Sequence, residues 1–308
     1  MFENLIFFDF DFNKNNSEYV SIIIQGGLGN QLFQIATAYT YSIQNNKKLI
    51  FKYSDKLHNS YDLDRKSFWN TLFTNKLNVL NEHEYNNIKF IKYYEKKNYN
   101  YNTIPIINNN ILLHGYFQSF KYLDNEKTTK NFLRHLVYSS DIYIYNVYNL
   151  YNSIKNYFSK ITNQNCNDDD IVSMHFRRTD YILTPNNYHN VLDINYYINA
   201  LNIVNRNCIV IFSDDIEWCK NNITDKLFNK EVFLYFVDIN NVEMEFILLS
   251  FIKHNIISNS TFSLMASYIS YYDTKKTIIA PKKWISDTQE KELGIINEIY
   301  HSDITHII

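Results

Sequence analysis

From residue 171 onward, short apolar runs rich in β-branched and aromatic residues alternate with helical stretches, and this rhythm constrains the fold more than any other feature. "IVSMHF" (171–176), "CIVIF" (208–212), "EVFLYFV" (231–237), "NIIS" (255–258) and "KTIIA" (276–280) read as buried strands. Between them, residues 193–206, 215–223, 241–254 and 261–272 read as helices. Alternation of this kind builds a parallel sheet covered by helices on both faces, so an α/β fold is expected. The N-terminal region repeats the unit: the strand "YVSIII" (19–24) stops at "QGGLGNQ", a helix follows from Asn30, and "KKLIFKY" (47–53) reads as the next strand. Residues 54–110 are polar and irregular, "ILLHGYF" (111–117) is another strand, and residues 120–162 are mostly helical by pattern.

A chain of 308 residues exceeds the roughly 250 at which single cores stop growing, so two domains are expected. The polar break "NQNCNDDD" (163–170) places the boundary. The expectation is an N-terminal extension over 1–19, a Rossmann-like domain over 20–165 and a second over 166–308, the two facing a cleft. A hydrophobic fraction of 45% supports such cores, and a net charge of -2 argues against nucleic acid as a partner. Cys166, Cys208 and Cys219 are odd in number and lack C-x-x-C spacing, which fits neither a disulfide framework nor a zinc site. The opening "MFENLIFFDFDF" lacks the basic start of a signal peptide, and no run reaches the length of a membrane span; a cytoplasmic chain is expected.

In parallel α/β sheets ligands bind beyond the carboxyl ends of the strands, and four such ends carry chemistry. "GGLGNQ" (26–31) offers Gly26, Gly27 and Gly29, which permit positive φ and close approach of a ligand, ahead of a helix N-terminus. "HFRRTDY" (175–181) sets Arg177 beside Arg178. Neighbouring guanidiniums repel, so either an anion lies between them or an ion pair forms with Asp180. "SDDIEWC" (213–219) contains one N-cap and a surplus acid among Ser213, Asp214 and Asp215. "SNSTFS" (258–263) presents Ser260, Thr261 and Ser263 at a helix start, where hydroxyls and free N–H groups suit a phosphate. "DDD" (168–170) invites a metal, but it precedes its strand and so lies at the wrong end of the sheet.

These stretches, with "HGYFQS", "HNIISNSTFS" and "APKKW", occur in an order and spacing that resembles the alpha-1,2-fucosyltransferase family, glycosyltransferase family 11, from about residue 20 to residue 285. The resemblance implies a GT-B-like fold, GDP-β-L-fucose as donor, a galactose-containing glycan as acceptor, attack by O2, inversion at the fucose anomeric carbon, and no cofactor or metal. It implies catalytic roles for His175, Arg177, Arg178 and Asp180, matching H-x-R-R-x-D. On the donor side it places Gly27, Gly29, Asn30, Asp214, Asp215, Ser260, Thr261 and Phe262, and on the acceptor side Gln31 and Gln118. The N-terminal domain is then the acceptor side and the C-terminal domain holds GDP-fucose. The chain departs from the pattern in two places: Leu264 and Met265 stand where a Trp-Trp pair is common, and Thr179 stands where many members have Gly. The alternatives are a transferase of another sugar nucleotide and a non-catalytic relative that binds nucleotide or glycan.

Overall fold

The computed structural model describes residues 18–57, 65–96, 98–123, 126–183, 189–228, 230–286 and 295–308. Of the expected extension, residues 1–17 lie outside the described residues, whereas Glu18 pairs with the buried Lys47 and Tyr19 opens the first strand. The chain divides into two compact units, Met1–Ser140 and Asp141–Ile308.

In chain order the first unit contains β1 (Tyr19–Ile22), α1 (Leu28–Gln44), β2 (Lys48–Leu49), β3 (Phe51–Lys52), β4 (Lys56–Leu57), β5 (Arg65–Lys66), β6 (Val79–Leu80), α2 (Glu82–Asn86), β7 (Ile91–Tyr94), β8 (Ile111–His114) and α3 (Glu126–Tyr138). One parallel sheet runs β2-β1-β8-β7, and β3 with β6 and β4 with β5 form two-stranded ribbons. The sequence "LFQIATAY" puts small and apolar residues on every face of α1, which is accordingly buried almost throughout. Tyr39 of α1 stacks on Phe132 of α3 at 3.7 Å between ring centroids. β7 lies inside the stretch read as irregular. It pairs with β8 alone and its side chains are largely exposed, so it lacks the apolar alternation that marks a covered strand.

The second unit contains α4 (Asp141–Thr162), β9 (Ile171–Phe176), α5 (Thr179–Leu183), α6 (Ile194–Val204), β10 (Cys208–Ser213), α7 (Ile216–Asn222), β11 (Phe233–Phe236), α8 (Val242–Phe251), β12 (His254–Ile256), α9 (Thr261–Tyr268), β13 (Ile278–Ala280) and β14 (His306–Ile307). All six strands are parallel, in the order β11-β10-β9-β12-β13-β14. Numbered from β9, that is 3-2-1-4-5-6, the doubly wound order whose direction reverses between the first and fourth strands. All six residues of β9 are buried, as expected of the central strand. Val172, Met174 and Phe176 join the core with Tyr197, Ala200 and Leu201 of α6. Ser173 and His175 point to the opposite face.

The unit boundary precedes α4, whereas the polar break expected to mark it follows α4. Ile144, Val147, Tyr151, Ile154 and Phe158 form the buried stripe of α4. Tyr157 of that helix donates to the Leu234 carbonyl at 3.2 Å, so α4 belongs with the second sheet and the break is its connection to β9. Polarity marks a solvated loop, and a loop within a unit is as polar as a linker between units.

Asp168, Asp169 and Asp170 form a single turn ahead of β9, at its amino end. Asp168 accepts from the Tyr151 and Tyr272 hydroxyls at 3.1 and 2.7 Å and from Lys155 Nζ at 3.2 Å. Asp169 pairs with Lys253, and Asp170 accepts from the Asn167 amide at 2.8 Å. Burial pushes the Asp168 carboxyl up, but the Tyr272 hydroxyl and Lys155 more than offset this and hold it below its ordinary value. A depressed carboxylate contributes stability that is present above its unfolded pKa and lost as pH falls through its folded value. Asp168→Asn is therefore expected to lower stability by about 1–2 kcal/mol at neutral pH, to narrow that deficit as pH falls below the usual carboxylate range, and to leave turnover unchanged, as chemical denaturation across that pH range and an initial-rate assay would report.

Candidate active site

Beyond the carboxyl ends of β9 and β12, the two strands that flank the reversal of strand order, lie the turn that begins at Arg177 and the turn that leads from Ser258 into α9. Asp214, which follows β10, holds the first. Its Oδ1 accepts from the Arg178 amide at 2.8 Å. Its Oδ2 accepts from the Thr179 amide at 3.1 Å, from the Thr179 hydroxyl, and pairs with Arg177 Nη1 at 3.2 Å. Burial raises the Asp214 carboxyl, yet Arg177 and these donors hold it below the usual carboxylate range. Thr179 thus adds a hydroxyl bond that the more common Gly would lack.

The arginine pair resolves into two different environments. Arg177 sits between carboxylates, with Nη2 donating to Asp180 Oδ2 at 2.7 Å, and lies 5.6 Å from the Tyr181 ring. Burial disfavours its charge, but Asp214 and Asp180 more than restore it and raise its pKa. Arg178 lies flat over Trp218, its guanidinium carbon 3.3 Å from the ring centroid. Its side chain makes one weak bond, Nε to Asp215 Oδ2 at 3.4 Å. Among the described residues, Nη1 and Nη2 of Arg178 bond no other side chain or backbone group. The expected ion pair with Asp180 therefore forms at Arg177, and Arg178 has no part in it.

Asp215 is the N-cap of α7, accepting from the Trp218 amide at 3.2 Å, and Ser213 accepts from the Asp215 amide at 3.0 Å. The surplus acid is Asp214, which the sequence reading assigned to a nucleotide; Oδ2 is filled by the arginine turn and only Oδ1 retains acceptor capacity. His175 is 4% exposed and shares a 2.7 Å hydrogen bond with the Ser258 hydroxyl. Burial is the main cause that lowers its pKa to about 3, with Arg177 adding to it against Asp214. The imidazole is neutral and has little affinity for a proton, which suits a bonding group better than a base.

On the β12 side, Ser260 caps α9, accepting from the Phe262 amide at 3.3 Å, and Thr261 opens the helix. Phe262 packs 5.6 Å from the His175 ring. Asn259 donates to the carbonyls of Asn190 and Trp284, both at 3.0 Å, and its own carbonyl accepts from Tyr181 at 2.7 Å. Leu264 and Met265 are fully buried, so the departure from the Trp-Trp pattern is a change of core packing.

In the first unit, the strand ends bring the glycine turn and the "HGYFQS" turn together. Of the three glycines expected to use positive φ, only Gly26 does so, at 77°. Gly27 is extended, and Gly29 lies in the first turn of α1. A Cβ at Gly26 would meet Asn30 Nδ2 at 2.5 Å, whereas one at Gly27 would meet nothing within 4 Å. Gln31 donates to the carbonyls of Gly26 and Lys66 at 3.0 and 2.9 Å, and its Oε1 is buried without a partner among the described residues. Gln118 donates to Asn30 Oδ1 at 2.6 Å.

Residues 19–303 match the model of glycosyl transferase family 11. The chain belongs to that family. Two Escherichia coli relatives span nearly the same length: the O-antigen biosynthesis glycosyltransferase WbnK is 26% identical over 88% of this chain and 96% of its own, and an alpha-1,2-colitosyltransferase is 27% identical over 85% and 90%. Among solved structures, fucosyltransferase NodZ from Bradyrhizobium covers 82% of this chain and 93% of its own at 12% identity and a TM-score of 0.50, a likeness of fold. With the parallel sheets described above, it marks a GT-B-like α/β architecture.

For this family 11 glycosyltransferase, the structure gathers His175, Arg177, Arg178, Asp180, Asp214, Asp215, Ser260, Thr261 and Phe262 around the strand ends of the second unit. Gly27, Gly29, Asn30, Gln31 and Gln118 gather at those of the first. Sequence reasoning missed Trp218, Tyr181, Ser258 and Asn259, although the quoted motifs contain all four. It also missed Glu245, whose carboxyl burial and the nearby Asp238 and Asp214 push up to about 7. Among the described residues, no three His, Cys, Asp or Glu side chains are grouped to hold a metal ion, and no helix is long and apolar enough to cross a membrane. Replacing Asp214 by Asn presents an amide donor to a ring of donors and leaves Arg177 half compensated. The expected result is a loss of about 2–3 kcal/mol in unfolding free energy and of roughly two orders of magnitude in kcat/KM, measured by urea denaturation and steady-state kinetics.

Proposed function

We propose that this family 11 glycosyltransferase moves L-fucose from GDP-β-L-fucose to a galactose hydroxyl, O2, of an acceptor glycan, inverting the fucose anomeric carbon. One observation carries the reading: beyond the two strands that flank the reversal of strand order, the turn after β9 carries Arg178, whose Nη groups bond no other group among the described residues, and the turn after β12 carries the Ser260 and Thr261 hydroxyls at a helix start. That is the polarity a nucleoside diphosphate needs. A NodZ alpha-1,6-fucosyltransferase crystal soaked with GDP-fucose supports the choice of donor, and the Escherichia coli alpha-1,2-colitosyltransferase supports the linkage.

In this mechanism the Arg178 fork and the amides that open α9, with Ser260 and Thr261, bind the diphosphate. Arg177, neutralised by Asp180 and Asp214, fixes the turn that presents Arg178. As the bond from fucose to the β-phosphate breaks, negative charge gathers on the leaving oxygen, and donors already in place stabilise it by a few kcal/mol each. Phe262 and Asp215 complete the donor side of the second unit; in the first unit, the family resemblance supports a donor role for Gly27, Gly29 and Asn30 and an acceptor role for Gln31 and Gln118. His175 joins β9 to the Ser258 turn, which keeps the two halves of the diphosphate site in register.

The test is donor discrimination. GDP is expected to raise the melting temperature and UDP at equal concentration is not, because a site that bonds the guanine edge leaves polar groups unpaired with uracil. Equal stabilisation would remove the guanine assignment. The name of the colitosyltransferase relative favours one second reading, transfer of the 3-deoxy analogue of fucose, and rates with the two GDP-sugars on a panel of β-galactosides, followed by linkage analysis, separate them. Lysine at either arginine keeps the charge and loses the planar fork. Arg178→Lys should lose about two orders of magnitude in turnover at an unchanged melting temperature, while Arg177→Lys should lose both turnover and stability. Normal turnover in both variants would rule out the clamp.

A further inference from the structure

Glu95 stands at the carboxyl end of β7, outside every motif read from the sequence. Its amide continues the ladder to the His114 carbonyl at 2.9 Å, and its side chain turns toward the next loop. There Oε2 accepts from two consecutive amides, Tyr116 at 2.8 Å and Phe117 at 3.0 Å. Phe117 is completely buried and holds φ at 51°, a left-handed conformation that strains a bulky residue. The next residue is Gln118, whose amide reaches Asn30. Gln34 ties the same loops, its Nε2 donating to the Gly115 carbonyl at 3.2 Å while its Oε1 accepts from the Gln25 amide at 3.0 Å. A Cβ at Gly115 would lie 2.4 Å from that of Glu95, so the glycine makes room for the carboxyl.

This arrangement is poor for stability. Oε1 of Glu95 is buried without a partner among the described residues. Burial raises the carboxyl to about 7 against the two amide bonds that lower it, and among the described residues no charged side chain contributes. The titratable groups that sense it are the hydroxyls of Tyr93 and Tyr122, beside Tyr101. A neutral residue would cost less here, and local sacrifices of this kind concentrate at functional positions.

We propose that Glu95 is a positioning residue for the acceptor, a strut whose carboxylate fixes the Tyr116–Phe117 turn and through it the placement of Gln118 against Asn30. The link to the acceptor rests on the role proposed above for Gln118. The carboxylate is the stronger acceptor for the two amides, so acceptor binding weakens as pH falls through about 7. Stability moves the other way. A carboxyl whose folded pKa lies above its unfolded value destabilises the fold progressively as pH rises from the usual carboxylate range to about 7.

Glu95→Gln keeps an oxygen for both amides and removes the charge. At pH 8 its acceptor KM should rise about fivefold, the difference between a charged and a neutral acceptor. Its donor KM and GDP-induced thermal shift should stay unchanged, and its melting temperature should equal or exceed the parent's. Below pH 7 the acceptor KM values of the two should converge. Independently of any activity, the Tyr116 and Phe117 amide resonances should titrate near pH 7 in the parent and not in Glu95→Gln, while Glu95→Ala loses their protection from exchange. Amides that do not titrate, or an acceptor KM unmoved by Glu95→Gln, overturn the proposal. So does a hundredfold fall in kcat at constant KM, which means direct proton transfer, or a joint fall in stability and both affinities, which means a structural role alone. A parent protein that ignores GDP fails the donor reading, and the amide titration still decides the strut.

Discussion

The carboxylate of Asp214 is the constraint on which the second unit's site depends. An Arg-Arg dipeptide at a strand end is unstable in isolation, because two like charges repel and the next two amides of a short helix lack partners. One carboxylate supplied by the neighbouring strand answers both problems: it binds Arg177, receives the amides of Arg178 and Thr179, and takes the Thr179 hydroxyl. The contact joins residues about 35 apart in sequence across adjacent parallel strands, so it forms only when β9 and β10 are in register. With Arg177 neutralised on two sides, the turn can direct Arg178 outward onto Trp218.

The opposite edge of β9 is built on the same plan with neutral groups. Ser173 accepts from Asn255 at 2.7 Å and His175 bonds Ser258 at 2.7 Å, so the polar face of the central strand is linked at two levels to β12 and the turn beyond it. The other face is apolar and packs on α6. A central strand with one apolar and one polar face, both buried, is unusual economically but sound chemically, since each polar group is met by another. Three strands are thereby held together at the ends where a ligand of such a sheet binds.

The first unit secures its strand ends by amides and a carboxyl instead of ion pairs. Gln34 and Gln118 bridge the glycine turn and the turn after β8, and Glu95 holds the latter from the edge strand. Neutral amide bridges are indifferent to pH across the physiological range, so a buried carboxyl among them is the one member of the set that makes the loop responsive to protons.

What the sequence determined by itself is the content and rhythm of the elements. β9 matches its reading residue for residue, and β10 adds only Ser213, because a central buried strand is a short, mostly apolar run ended by charged or polar residues. The motifs at the strand ends were equally legible, since glycine, paired arginine and serine clusters at such positions have few other uses. Edge strands β7 and β14 escaped, being short and solvent-facing, and the unit boundary fell ahead of α4 because its stripe could be assigned to a sheet only once that sheet existed. Tertiary structure alone decided which arginine sits between two acids and which stacks on Trp218, which of two adjacent aspartates caps a helix, and that Glu95 meets two amides more than 20 residues away. Each of those outcomes depends on where a side chain ends relative to strands brought together from distant parts of the chain, and composition and spacing carry no record of that distance.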